Sequence, residues 1–378
     1  MDKFPARSPL KLVEIPQREV YNWQKESRVI IKTFDDLLSY KEKLGLTPSE
    51  LSLAEEGIHR KGIKIPKRYF VELLDSIATE KERSQIKTLI IPFVEKKIAD
   101  QIQDRVTFLD EMSLDNNPKK GLTRMYPDRV LFSPVHTCSM HCDWCFRDMS
   151  SGTLTDCEME DVIDYIRKDP RIKDVIITGG EPLLLSNTQL DFILERMRTI
   201  DHVDIIRFHT RIIVTVPSRI EEDFIGMLDG HKRKGKPIYF VTQFIHPNEI
   251  SERATDAVYR LVSNGFYVLN QAPVLRGVND DQETFDEWQN RMIRYQIRPY
   301  YAISTIIKDG LNSRFFVPFD EVVKLVNTYS SQHDGLGRPT VIAPVMGRKL
   351  GPHQLSLEMN ERGAYVRNTK SEIWKGTK

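Results

Sequence analysis

The stretch His136-Thr-Cys-Ser-Met-His-Cys-Asp-Trp-Cys-Phe-Arg147 sets three cysteines, Cys138, Cys142 and Cys145, in a C-x3-C-x2-C pattern. The chain holds 4 cysteines, and the fourth, Cys157, lies outside this spacing. Three thiolates on one loop can hold three irons of a 4Fe–4S cluster and leave the fourth iron without a protein ligand. An open iron can chelate a small molecule through an amino and a carboxylate group, as those of S-adenosylmethionine would. An electron passed from the cluster into the sulfonium then releases a 5′-deoxyadenosyl radical. The protein's share of such chemistry is placement and exclusion of water. A zinc site is the competing reading. Zinc takes four ligands in a closed site, usually from cysteine pairs, and no second cysteine pair is present. A disulfide at this spacing is disfavoured in a chain of cytosolic character.

Bulk properties narrow the class. A chain of 378 residues suits two or three units, or one large barrel-like domain with additions. Hydrophobic residues make up 40%, enough for a sizeable core. The 55 basic and 54 acidic residues leave a net charge of +1, which gives no footprint for nucleic acid or an anionic membrane. Residues 1–21 are polar and interrupted by proline, and no stretch approaches the ~20 apolar residues needed to span a bilayer. The expectation is a cytoplasmic protein, a setting that suits an oxygen-sensitive cluster.

Residues 1–21, with Pro5, Pro9 and Pro16, read as an N-terminal arm. Residues 22–122 read as a helical N-terminal region. Thr33-Phe-Asp-Asp-Leu-Leu predicts a capped amphipathic start with Leu37 and Leu38 buried. Thr47-Pro-Ser-Glu50 predicts a sharper one, with Thr47 as N-cap, Pro48 at the first helical position and Glu50 at the third. The stretches from Ile65 and Gln85 continue the pattern, and Asn116, Asn117, Pro118 and Gly121 mark a linker over 111–122.

From Arg129 the texture changes. Runs rich in Val, Ile, Phe and Tyr (130–135, 174–178, 205–210, 238–244, 267–274 and 299–304) alternate with helical patterns at 159–168, 189–200, 220–228 and 255–264. Near-continuous apolar strands separated by helices predict a parallel sheet covered by helices. Residues 123–350 are therefore expected to form an α/β core, a partial (β/α)6 barrel beneath an N-terminal helical cap. A full eight-unit barrel is the alternative. Ligands in such folds sit at the C-terminal ends of the strands, and the cysteine loop follows the first strand. Residues 351–378 read as a C-terminal tail, polar and loose after Met359.

A second motif, Thr178-Gly179-Gly180-Glu181-Pro182, ends the second strand. Glycines there let backbone approach a ligand closely, and backbone groups at that strand end can receive a methionyl ammonium. On its own the motif is only a turn; its place one strand after the cysteine loop gives it meaning.

The neighbouring segments carry a resemblance. Tyr126-Pro-Asp-Arg-Val130 precedes the cysteine loop, Cys-Ser-Met-His-Cys lies within it, and Gly-Gly-Glu-Pro-Leu-Leu-Leu-Ser186 follows. His209-Thr-Arg211, His246-Pro-Asn-Glu-Ile250, Leu275-Arg-Gly-Val-Asn-Asp280 and Arg298-Pro-Tyr-Tyr301 come next. In order and spacing these resemble the lysine 2,3-aminomutase family of the radical S-adenosylmethionine superfamily, over roughly residues 20–350. The resemblance implies a radical isomerase of (β/α)6 fold that also carries pyridoxal 5′-phosphate. Such an enzyme moves the amino group of an amino acid from Cα to Cβ after the 5′-deoxyadenosyl radical removes a β-hydrogen. It also implies a small-molecule amino acid substrate, a one-electron donor such as flavodoxin or ferredoxin, and room for a homo-oligomer.

Carried over by position, Thr178, Gly179, Gly180, Glu181 and Pro182 match the S-adenosylmethionine-binding element. His246 and Gln271 match positions near that cofactor, with a structural role bonded to backbone as the other reading. A lysine must form a Schiff base with the pyridoxal aldehyde; the match is Lys349, five residues after Pro344, with the family's glycine run reduced to Gly347. Arg129 and Arg211 match positions near the pyridoxal group. Arg147 matches the arginine that pairs with the substrate α-carboxylate, a task suited to the guanidinium fork.

The chain also departs from the family. Lysine-specific members hold the distant ε-ammonium with two aspartates, and here those positions fall on Ile306 and on Val341 or Ile342. An ammonium buried there unpaired is heavily penalised. An aliphatic or small amino acid is expected instead of free lysine, although Lys308 and Asp309 lie close enough in sequence to serve a polar tail. The distal cysteines that some members use to bind zinc between subunits have no counterpart, so metal-bridged assembly is not expected. Three other readings stay open. One is a radical enzyme on this scaffold without pyridoxal phosphate (an epimerase, dehydratase or desaturase). The second is a lysine aminomutase acting on free or protein-bound lysine. The third is a cluster-binding scaffold with no reaction of its own.

Overall fold

The computed structural model describes residues 22–94, 117–145, 152–232, 235–304, 313–345, 348–351, 355–360, 363–368 and 373–374. The N-terminal arm lies outside them, as do Arg147, Ile306, Lys308, Asp309 and Gly347.

The β-branched and aromatic runs assemble into a nine-stranded sheet whose spatial order is the order of the sequence. Its strands are β1 (Leu122–Tyr126), β2 (Arg129–Val135), β3 (Asp174–Gly179), β4 (Ile205–His209), β5 (Ile238–Thr242), β6 (Tyr267–Val274), β7 (Arg298–Ser304), β8 (Thr340–Val345) and β9 (Arg348–Leu350). Strands β2 to β8 pair in parallel, each with the next. The edge strands β1 and β9 run antiparallel to their neighbours. Helices Asp156–Lys168, Asn187–Arg198, Glu222–Asp229, Glu252–Ser263, Gln282–Arg294 and Phe319–Gln332 fall one between each successive pair of parallel strands. These are the six β–α units read from the sequence, followed by a seventh parallel strand. Periodicity does not predict β8, because Pro344 lacks a donor and argues against a strand. In the fold Pro344 faces Lys349 across the β8–β9 hairpin at the sheet edge.

The sheet curls. Lys349 in β9 donates its backbone N–H to Tyr126 Oη in β1 at 2.8 Å, so the two ends of the strand order meet. Among the described residues no ladder joins β1 to β9, and the barrel is open there.

Each parallel strand has one face under helices and one toward the lumen. The register aligns Phe132, Ile177, Phe208, Phe240 and Val268 in a single helix-facing row. All five are buried, and the Phe208 and Phe240 rings stack with centroids 5.4 Å apart. Each such side chain contributes roughly 1.5–3 kcal/mol of burial energy. On the opposite face the register aligns Leu131, Ile176, Arg207 and Tyr239, one level above Arg129 and Asp174. The lumen therefore collects the charged members of otherwise apolar strands.

The N-terminal region is helical, with helices Trp23–Arg28, Phe34–Leu38, Lys41–Leu44, Pro48–Lys61, Lys67–Asp75 and Glu80–Ile90. Thr33 and Thr47 cap as predicted: each accepts from the residue three positions on, and Asp36 and Glu50 return a carboxylate to the cap's own N–H. Leu37 is fully buried and Leu38 half-buried. The C-terminal tail departs from expectation. Leu355–Asn360, Gly363–Asn368 and Ile373–Trp374 form a three-stranded antiparallel sheet. The alternation Leu-Ser-Leu-Glu-Met-Asn is a period-two pattern that overall polarity obscures.

Gly57, inside Pro48–Lys61, shows how closely the cap is packed: a Cβ there would fall 1.4 Å from the Pro92 carbonyl oxygen. In an open helix, glycine to alanine gains about 1 kcal/mol, but overpacking costs typically ~1–3 kcal/mol or more. At this separation the overlap dominates. Gly57→Ala should lower the urea midpoint by an amount equivalent to about 2 kcal/mol, with the slope unchanged; a midpoint at or above that of the parent would refute this packing.

Candidate active site

β2 ends at Val135 and runs straight into the cysteine loop. Cys138, Cys142 and Cys145 are half-buried on it, whereas Cys157 is exposed on helix Asp156–Lys168. Among the described residues no three His, Cys, Asp or Glu side chains converge as they would around one ion; the thiolates of a cluster each take a different iron and need not converge. The cap pins this loop. Lys64 Nζ donates to the Cys138 carbonyl at 2.6 Å, and the Lys64 carbonyl accepts from His141 N at 2.8 Å. Asp143, between the second and third cysteines, pairs with Lys61 at 2.6 Å and with Arg314 at 2.5 Å. Trp144 packs edge-on against Phe315 with centroids 6.2 Å apart. Burial pushes the Cys142 thiol up to about 11, against the pull of Arg211. A bare thiol there keeps its proton; a bound metal replaces it and favours the thiolate. The donor set thus suits an iron–sulfur cluster.

The glycines of the second motif are required by the fold. Gly179 has φ +113°, and a Cβ on it would lie 2.2 Å from the Val135 carbonyl oxygen. A Cβ on Gly180 would lie 2.3 Å from the Thr137 oxygen. The end of β3 therefore presses directly onto the start of the cysteine loop, with Gly180 N donating to Val135 O at 2.7 Å and Glu181 N to Thr137 O at 2.9 Å. Thr178 is buried, and Pro182 opens the short turn Pro182–Leu184. The buried Glu181 carboxylate accepts from Leu183 N at 3.1 Å, from Arg211 N at 2.8 Å and from Thr210 Oγ1. Burial pushes it up to about 7. Its bonds clamp the end of β3 to the end of β4. His246 is also committed to structure: Nδ1 accepts from Asn248 N at 3.2 Å, and Nε2 meets Gln85 Oε1 of the cap at 3.0 Å. Burial holds its pKa down to about 3, so the ring is neutral.

Lys349 enters the lumen from the opposite edge. The hairpin register pairs it with Pro344, which explains the five-residue spacing. Nζ donates to Gln271 Oε1 at 2.6 Å and lies 4.9 Å from the Tyr301 ring centroid. Burial first, then the Arg207 and Arg129 guanidiniums, press its pKa down to about 7. Arg207 forms a buried pair with Asp174, with Nε 3.0 Å from Oδ1. Arg129 lies over the Tyr126 ring at 4.6 Å and pairs with Asp128 at 3.1 Å. An amine that is about half neutral near pH 7 can attack an aldehyde, and two nearby guanidiniums suit a phosphate.

The structure thus brings Lys349 and Arg129 together. It sets Gln271, matched by sequence to the neighbourhood of S-adenosylmethionine, on the lysine instead. Arg211, matched to the pyridoxal neighbourhood, turns to the cysteine loop, with Nη1 3.4 Å from Cys142 Sγ. The reason is its position past the end of β4, where it no longer follows the alternation that aims Arg207 into the lumen. The register also separates Val341 from Ile342: Val341 aligns with Ala302 on the helix side, and Ile342 with Ile303 on the lumen side. Ile342 is 3% exposed. Sequence reading missed Asp174, Arg207 and Tyr301. For Asp174 and Arg207 the available signal was a charge inside an apolar run, since an ion there must be paired.

The chain matches the Radical SAM superfamily model over residues 132–288. It is similar to L-lysine 2,3-aminomutase of Clostridium subterminale, with 32% identity over 336 residues, covering 86% of this chain and 76% of that protein. Glutamate 2,3-aminomutase of Clostridioides difficile is 31% identical over 337 residues, covering 87% of this chain and 75% of that protein. Among solved structures, Streptococcus suis SuiB bound to precursor peptide SuiA aligns with a TM-score of 0.46 and 14% identity, covering 75% and 70% of the two chains.

The lowered pKa of Lys349 has a direct readout. Labelling by an amine-selective reagent, followed at that residue by mass spectrometry, should rise through a midpoint near 7, whereas exposed lysines titrate near ~10.4. Arg129→Met removes one cation and should move the midpoint upward. A wild-type midpoint in the ordinary lysine range would contradict this geometry.

Proposed function

Since the chain belongs to the lysine 2,3-aminomutase family of radical S-adenosylmethionine enzymes, we propose that it is a pyridoxal phosphate-dependent aminomutase that interconverts an α-amino acid and its β-isomer, with free lysine not the preferred substrate. The chain is an isomerase by family, and the family implies a 4Fe–4S cluster and S-adenosylmethionine. The observation that carries the pyridoxal reading is Lys349: half-buried in the lumen, with a pKa lowered to about 7 and Arg129 and Arg207 beside it.

Bound pyridoxal phosphate supplies a conjugated system that stabilises a radical next to nitrogen during the amino shift. The chain's own residues do the rest. Lys349 Nζ, oriented by Gln271, presents its lone pair to the aldehyde. Arg129 and Arg207 attract the phosphate, and Tyr126 and Tyr301 wall the lysine. Cys138, Cys142 and Cys145 would hold three irons of the cluster, and Arg147 would receive the substrate α-carboxylate. The cluster they would hold would supply the electron for S-adenosylmethionine cleavage, drawn from a one-electron donor such as flavodoxin or ferredoxin.

The substrate tail is read from Ile342. It stands level with Ile303 on the lumen face and is buried. A lysine ammonium or a glutamate carboxylate placed there would lose its hydration with no counter-charge from either isoleucine, a cost on the order of several kcal/mol. An alkyl tail loses nothing and adds burial energy.

The test uses the full chain, reconstituted anaerobically and supplied with pyridoxal phosphate, S-adenosylmethionine and a strong reductant. A panel of amino acids is scored for β-isomers. The expected result is a β-isomer from an aliphatic or small amino acid, and a visible absorbance band from lysine-bound cofactor. Lys349→Ala should keep iron and sulfide but lose both the band and the isomer. Cys142→Ala should lose the cluster and all 5′-deoxyadenosine. Ile342→Asp should shift relative kcat/KM toward lysine by about tenfold, the equivalent of ~1.4 kcal/mol. Turnover that survives Lys349→Ala overturns the pyridoxal reading, and a wild-type preference for lysine overturns the substrate reading.

A further inference from the structure

The loop after β4 carries a guanidinium directed at sulfur. Arg211 is 9% exposed. Its Nη1 lies 2.9 Å from Met140 Sδ and 3.4 Å from Cys142 Sγ. Nη2 pairs with Glu249 Oε1 and reaches Tyr69 Oη at 3.4 Å, while Nε donates to Gln243 O at 3.3 Å. The guanidinium carbon stands 5.0 Å from the Trp144 ring centroid. Glu249, its side chain fully buried, also accepts from Tyr69 Oη and from the backbone N–H groups of Ile245 and His246. Tyr69 belongs to the cap helix Lys67–Asp75. The fork is therefore held in place on three sides, and one arm is aimed at a cysteine of the cluster motif.

We propose that Arg211 is a positioning residue that sets the reduction potential of the cluster on Cys138, Cys142 and Cys145, and that Glu249, clamped by Tyr69 of the cap, limits how much of its charge the cluster feels. This rests on the reading of that loop as the cluster site.

The sign follows from charge. One-electron reduction, by an electron from an external donor, adds one negative charge to the cluster and breaks no bond. A cation and an N–H···S contact stabilise the reduced form more than the oxidised form and raise the potential. The buried setting leaves this interaction weakly screened. A nearby carboxylate does the reverse. Cleavage of a sulfonium needs a strong reductant, so an uncompensated Arg211 would work against the reaction. The Glu249 partner restores the balance.

The experiment is a redox titration of the full-length reconstituted protein, without S-adenosylmethionine or pyridoxal phosphate, followed by visible absorbance and electron paramagnetic resonance. Iron and sulfide are quantified first. Arg211→Gln should move the midpoint more negative: at the wild-type midpoint the ratio of reduced to oxidised cluster should fall about tenfold, which is about 59 mV for one electron. Glu249→Gln, nearly isosteric, should move it the opposite way, and the double variant should return toward wild type. Opposed shifts are what a merely structural role would not produce. Single variants with full clusters and wild-type midpoints, or with shifts of the same sign, overturn the proposal. If Arg211→Gln loads no cluster, Glu249→Gln decides alone: a less negative midpoint supports the proposal and an unchanged one ends it. A wild-type chain that binds no iron and sulfide overturns the cluster reading, and this proposal with it.

Discussion

A charge taken out of water must be matched by another or given up, and this constraint arranges the interior of the barrel. Asp174 and Arg207 match each other across adjacent strands. Arg211 is matched by Glu249, and Asp143 by Lys61 and Arg314. Among the described residues Lys349 has no carboxylate against its Nζ; it sits on a neutral amide and an aromatic ring, between two cations. Its response is to release its proton near pH 7. Among the described residues, the lumen group set to react is thus left without a counter-ion, and Asp174 and Arg207 beside it are paired with each other.

The same constraint makes the helical cap part of the site. Lys61 and Lys64 hold the cysteine loop, Tyr69 holds Glu249, and Gln85 holds His246. Each contact joins a cap side chain to a loop at the C-terminal end of a barrel strand. The barrel supplies the strand ends, and the cap supplies polar side chains that hold the loops there. Gly179 and Gly180 make the complementary contribution: without side chains, they let the end of β3 lie against the cysteine loop. Two positions that look like ligand-facing glycines are first of all packing glycines.

The strands and helices were legible in the sequence because their signals are local. Six apolar runs, the Thr47-Pro48-Glu50 cap and the cysteine spacing each carry their meaning within a few residues. β8 and β9 were not legible, since Pro344 and two basic residues argue against strand there and only pairing with β7 overrides them. The tail sheet was hidden by its polarity. Among site residues, Lys349 could be found by its spacing from Pro344, and that spacing proved to be a hairpin register.

The sequence alone determined the chemistry available: three thiolates on one loop, glycines at the next strand end, a lysine near the C-terminal edge and arginines in the strands between. Only the tertiary structure decided which of these groups face one another. It set Gln271 on Lys349, turned Arg211 toward Cys142, aimed Arg207 at Asp174, and chose Ile342 over Val341 for the lumen. Spacing along a chain reports which residues share a loop or a face, but the curl of the sheet and the register of its strands decide what stands across the lumen. Those depend on contacts between distant segments, such as the Lys349 N–H bonded to Tyr126, that no local pattern encodes.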